Sequence, residues 1–187
     1  MDAAPTTLAG DLDARDEAER SEVAAEIEAG LDRAASLTHQ LITMARVESD
    51  AYALHPAALD LAELVQDGIA QAAPSAVKRR LELAYNGPAS LPAVADAAAL
   101  QSVLNNLLEN AIKYSTPGGQ IEVSLQTLAD AHHLTVRDDG PGIPETCHAR
   151  LFERFYRVPG VQQAGSGLGL AIVQNLVVRH GGSIEII

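Results

Sequence analysis

The stretch Gln101–Ser115, QSVLNNLLENAIKYS, constrains this chain more than any other. Val103, Leu104, Leu107, Leu108, Ala111 and Ile112 recur at the spacing of a helix that lays one face on a core. Asn106, Asn110 and Lys113 stand at i, i+4 and i+7, so they share another face of the same helix. Two amides and an ammonium in one stripe are costly to bury without partners. The stripe is therefore either a solvated surface or the wall of a site for an acceptor-rich ligand. A phosphate-bearing ligand with its metal ion would satisfy all three side chains.

The 187 residues suffice for one sizeable core and a smaller element. Aromatic residues make up only 3% of the chain, so the core is built from Leu, Val, Ile and Ala. The net charge of -12 argues against a general nucleic-acid surface, which needs a positive field, but leaves room for a local anion site. The single cysteine, Cys147, excludes an internal disulfide and a multi-thiolate zinc site, and suggests a reducing compartment. The sequence has no apolar run approaching ~18 residues and no signal-peptide pattern, so a soluble chain is expected.

From Leu8 to Ser49 the chain is rich in Ala, Glu, Asp and Arg. A break near Asp13–Asp16 is expected to divide it into a short helix and a long one. The long one carries Val23, Ile27, Leu31, Ala34, Leu37, Leu41, Met44 and Val47 at steady three/four spacing, a stripe that wants a partner helix. Ser49–Pro56 reads as a linker, and 57–59 as a short strand. Asp60 is a good N-cap for a helix over Leu61–Lys78. Strands are expected at Leu81–Tyr85 and near Ala93–Ala95, with Asp96 capping the central helix and Thr116–Gly119 stopping it. Two antiparallel strands, Ile121–Leu128 and His133–Val136, precede a helix over Leu168–Arg179 and a strand at Ser183–Ile187. The pattern predicts an α/β fold, a two-layer sandwich with helices on one face of a mixed sheet.

Two loops add chemistry. Asp138–Asp139–Gly140–Pro141–Gly142 follows a strand, and its glycines allow the backbone close to a flat ligand. Asp138 there can accept from an exocyclic amine, the group that marks adenine; the alternative is an ordinary strand-ending turn. Gly165–Ser166–Gly167–Leu168–Gly169 opens a helix, where exposed N–H groups and the helix dipole favour an anion. Neither a dinucleotide fingerprint nor a Walker A loop fits its spacing. Between the loops, Leu151–Arg157 holds both phenylalanines and is expected to form a local core at the hinge of a lid, Val158–Ala164. Arg154 and Arg157 would pair with a phosphate or with acidic residues.

In this order, NLLENAIKYS, DDGPGI, LFERFYR and GSGLGLAIV resemble the N, G1, F and G2 boxes of the sensor histidine kinase ATP-binding domain. That family belongs with gyrase, Hsp90 and MutL. The resemblance covers Leu59–Ile187. Residues 16–49 are similar to the second helix of the dimerisation and phosphotransfer hairpin, and Leu8–Asp13 to the tail of its first. The pattern is nearest the quorum- and tricarboxylate-sensing type. The resemblance implies domains at 1–49 and 50–187, ATP and Mg²⁺ as ligands, and a fold of the histidine kinase/gyrase/Hsp90 ATPase type. It implies Asn110 as the Mg²⁺ ligand, Asn106 near metal and phosphates, Lys113 on phosphate and Tyr114 beside the nucleotide. Asp138 would read adenine. Gly140, Gly142, Gly165, Gly167, Leu168 and Gly169 would line the loops, and Glu109 stands where related ATPases keep a water-activating base. The implied reaction moves the ATP γ-phosphoryl to a histidine and then to an aspartate of a response-regulator receiver domain. A homodimer through the hairpin and a place on the cytoplasmic side of a bacterial inner membrane are implied with it.

The chain departs from the family pattern at two places. None of His39, His55, His132, His133, His148 or His180 is followed by the acidic-Arg-Pro neighbours of a phosphoacceptor. The chain is therefore expected to begin after the phosphorylated site, with His39 on the surface of the helical segment. The last strand is expected to be cut short, leaving a sheet edge uncovered. Two other readings compete: a stand-alone ATPase or anti-sigma-type serine kinase, which would not need the 49 N-terminal residues, and a docking module without catalysis.

Overall fold

The computed structural model describes residues 7–49, 51–129, 131–160, 163 and 165–187, in two compact units, Met1–Leu41 and Ile42–Ile187. A single helix, α1 (Thr7–Glu48), runs through the position of the expected break at Asp13–Asp16. The residues expected to end a separate first helix, Leu8–Asp13, are its opening turns. The physical reason is that Asp costs only a few tenths of a kcal/mol inside a helix. A break would instead strand N–H and C=O groups at two new termini. In the first unit Val23, Ile27, Leu31, Leu37 and Leu41 are exposed, and so is His39.

The second unit continues with β1 (Ala57–Asp60), α2 (Leu61–Lys78), β2 (Glu82–Asn86), β3 (Pro92–Ala95), α3 (Ala97–Tyr114), β4 (Gln120–Leu128) and β5 (Ala131–Asp138). A short α4 (Glu145–His148) and α5 (Gly169–Arg179) complete it. β4 is the middle strand of three, parallel to β2 and antiparallel to β5. Among the described residues β1 and β3 pair only with each other, so the expected single sheet is divided in two. Ser183–Ile187 alternates like a strand but forms none, because among the described residues no neighbouring strand takes its backbone hydrogen bonds. Its Ile184 packs against the core instead.

α3 is buried on two sides. Leu104 and Leu108 pack with Val65 of α2 and with Val123 and Leu125 of β4. Ala99 and Val103 pack with Leu168, Ile172 and Leu176, a cluster that includes Met44 and Val47. Each fully buried Leu or Val contributes about 1.5–3 kcal/mol. Period-3.6 apolar spacing thus fixes α3's rotation and sends its polar stripe toward the remaining side.

Two buried or half-buried aspartates set where the helices start. Asp60 accepts from the N–H of Leu91 (2.9 Å) and Ala62 (2.8 Å) and from the Ser90 hydroxyl. These bonds, Leu91 foremost, hold its carboxyl down at about 2. Asp96 accepts from His55 N–H (2.8 Å) and Ala99 N–H (3.0 Å), which depress its carboxyl too. The expected linker is tied down rather than loose. The Arg179 guanidinium donates to the carbonyls of Ser49 (3.2 Å) and Tyr52 (3.3 Å) and lies 5.4 Å from the Tyr52 ring centre.

Asp60's folded value lies below its unfolded value near ~4, so its contribution is complete above that pH and disappears as pH falls through about 2. Asp60→Asn is expected to be less stable than the wild type at pH 7, with the gap closing between about pH 4 and pH 2. Urea unfolding across that range checks it; a gap that stays constant with pH contradicts it.

Candidate nucleotide-binding site

The polar stripe of α3 meets the glycine loop that opens α5. A side chain at Gly165 would collide with Lys113 Nζ. A Cβ at Gly169 would stand 2.9 Å from Asn106 Oδ1 and 3.7 Å from Asn110 Nδ2. Asn106 is steadied by donating to the Ser102 carbonyl (2.8 Å). The N-cap of α5, Leu168, supplies no side-chain cap, so the N–H groups of the first turn are offered to an outside acceptor. Leu168's own side chain is buried in the core beside Ile172, so only its backbone faces the loop.

The loop is held from behind. Gly167 has φ +72°, and a Cβ there would lie 2.8 Å from both Phe155 Cα and Tyr156 O. The Phe155 N–H donates to Gly167 O (2.9 Å). Phe155 itself adopts φ 61° and is 63% exposed, so the expected aromatic core of 151–157 is only partial. Tyr156 is half-buried, with the Arg150 guanidinium 4.4 Å from its ring centre. Arg154 pairs with Glu48, the acidic alternative, and Arg157 donates to Gln163 O (2.6 Å). Of the expected lid, Val161, Gln162 and Ala164 lie outside the described residues.

At the other end of the stripe, β5 delivers Asp138 opposite Ile121. Its carboxylate accepts from Gly140 N–H (2.9 Å) and is exposed. A Cβ at Gly140 would stand 2.8 Å from the Tyr114 carbonyl oxygen, so this turn abuts the last turn of α3. Asp139 completes the join, accepting from Gln120 N–H (3.2 Å) and, through its carbonyl, from the Thr116 hydroxyl (3.2 Å). Lys113 Nζ lies 4.7 Å from the Tyr114 ring centre, linking the two ends. Gly142 has φ +70° and faces open space. Glu109 is exposed on α3 next to Asn110.

One contributor escaped sequence reasoning. The Arg79 guanidinium, at the end of α2, donates to the carbonyls of Lys113 and Ser115. It belongs to no motif, and no spacing signal marks it.

Residues 95–187 match the family described as histidine kinase-, DNA gyrase B- and HSP90-like ATPases. The swarming motility regulation sensor protein RssA of Serratia marcescens is 44% identical over 169 residues, which is 90% of this chain and 36% of that protein. The solved mycobacterial sensor histidine kinase MprB is 32% identical with TM-score 0.62, over 69% of this chain and 83% of that one. The chain belongs to the sensor histidine kinase family. Sensor protein QseC of Escherichia coli K12 is 34% identical over 89% of this chain. Full-length ShkA, solved in complex with AMPPNP, has TM-score 0.75 and 31% identity, over 88% of this chain and 34% of that one. The chain spans about a third of the curated relatives it matches, 36% of RssA and of this QseC. The α/β sandwich around α3 is therefore the ATP-binding domain of a sensor kinase.

Gly167→Ala is expected to lower stability by at least about 1 kcal/mol, because it combines a left-handed φ with a backbone collision at Phe155. Urea midpoints measure it; an unchanged midpoint contradicts it.

Proposed function

We propose that this chain is the catalytic region of a protein-histidine kinase, binding ATP with Mg²⁺ and presenting the γ-phosphoryl to a histidine. The phosphoryl group then passes to an aspartate of a response-regulator receiver domain. The observation that carries this reading is the close approach of Gly165 and Gly169 to Lys113, Asn106 and Asn110. Bare glycine backbone set against an ammonium and two amides brings together donors that suit a polyphosphate.

In this reading the ammonium of Lys113 and the first N–H groups of α5 neutralise charge on the phosphates. The Asn110 amide oxygen would hold the metal ion. Among the described residues no three His, Cys, Asp or Glu side chains gather into a cage, which suits Mg²⁺, a cation that keeps waters and leans on substrate phosphates. When bound, Mg²⁺ would supply further charge neutralisation at the phosphate oxygens. Asp138, at the far end, accepts from the adenine amine. Phosphoryl transfer needs mainly positioning and charge compensation, and a neutral imidazole is already a nucleophile. Glu109 is then not required as a base, and its exposure on α3 is compatible with that.

The exposed apolar residues of α1, Val23 to Leu41, support a homodimer through this helix in the parent protein. We assign that dimer to the cytoplasmic side of a bacterial inner membrane. No described helix is long and apolar enough to cross one.

Calorimetry with ATP and Mg²⁺ tests the reading. The chain is expected to bind, and Lys113→Ala to bind at least about tenfold more weakly. With radioactive ATP the chain is expected not to label itself but to label a separately supplied acceptor-helix protein. Absence of binding, or labelling of the isolated chain, overturns the reading.

A further inference from the structure

We infer that Arg79 is a positioning residue for nucleotide binding, acting through Lys113 and itself touching no ligand. The inference rests on the ATP-binding reading above. Arg79 stands at the C-cap of α2, half-buried, with φ -99° and its N–H donating to Ala76 O (3.0 Å). Its guanidinium reaches across to the C-terminus of α3. One terminal nitrogen donates to the Lys113 carbonyl and the other to that of Ser115 (3.2 Å).

The chemistry of that grip is specific. The last carbonyls of a helix lack intrahelical donors, and a cation there also meets the negative end of the helix dipole. The guanidinium is rigid and planar, so its two terminal nitrogens reach the two carbonyls in a fixed geometry, whereas an ammonium is a compact point charge on a flexible stem. Ser115, buried, spends its own N–H (2.9 Å) and hydroxyl (2.7 Å) on Ala111 O, leaving the carbonyl of Lys113 to Arg79. The backbone of the lysine is thus held by Arg79, while its side chain reaches the glycine loop. Its ammonium lies directly against Gly165. With the Lys113 backbone released, the last turn of α3 is free to fray. The ammonium then loses a fixed place beside the loop. Arg79 also holds the turn that follows α3 through its own carbonyl, which accepts from Gly118 N–H (3.3 Å).

A double-mutant cycle read by calorimetry of ATP with Mg²⁺, on the whole chain, tests this. Arg79→Ala is expected to weaken binding about tenfold, and Arg79→Lys by less. In a Lys113→Ala background the same Arg79→Ala change is expected to cost under about twofold, because its route is already removed. A full tenfold loss persisting in that background overturns the inference and makes the effect a general loosening of the domain. Unchanged affinity in Arg79→Ala overturns it as well. If Arg79→Ala fails to fold by circular dichroism, Arg79→Lys carries the same cycle. A wild-type chain that binds no ATP overturns the nucleotide reading, and this inference with it. Wild-type binding with a neutral Arg79 overturns only the positioning role.

Discussion

The burial of α3 on two sides is the constraint on which the second unit depends. One apolar face lies on α2 and β4, the other on α5 and the last turns of α1. Only a narrow polar strip is left over, and the packing determines where it points. Because interiors are close-packed and transmit small displacements, the direction of Asn106, Asn110 and Lys113 is inherited from residues such as Leu104 and Leu108. The site is precise because the core beneath it is.

The glycine loop works as the counterpart of that strip. Gly165 and Gly169 bring backbone against side chains, whereas Gly167 turns the chain through a left-handed conformation with the backbone of 155–156 against it. Loss of side chains at alternate positions therefore serves two separate needs, close approach and turning. Gly140 serves the first need again at the other end, against the Tyr114 carbonyl.

Much of the second unit was legible in the sequence, and for identifiable reasons. Asp60 and Asp96 announced the starts of α2 and α3, since a short acceptor ahead of an apolar period is a local signal. The α3 stripe and both glycine loops were legible for the same reason. The errors came where pairing with distant residues decides the outcome. The period-two pattern at Ser183–Ile187 was real, but a strand also needs a neighbour. A break was expected near Asp13–Asp16, but nothing there forbids helical φ and ψ. Phe155 was expected inside, yet its place is set by the bond to Gly167 rather than by its apolar ring. Arg79 was invisible because its partners are carbonyls, which every sequence possesses.

The grip of Arg179 on the Ser49 and Tyr52 carbonyls gives α5 a role at each end. Its first residue, Gly169, adjoins the amides of α3, and its last, Arg179, holds the segment leading out of α1. Eleven residues of helix span about 16 Å. A tilt of this rod about its loop end must either break the two arginine bonds or drag the linker with it. The polar strip and the exit of α1 are thus fastened to opposite ends of one stiff element, and neither can be repositioned without a cost felt at the other.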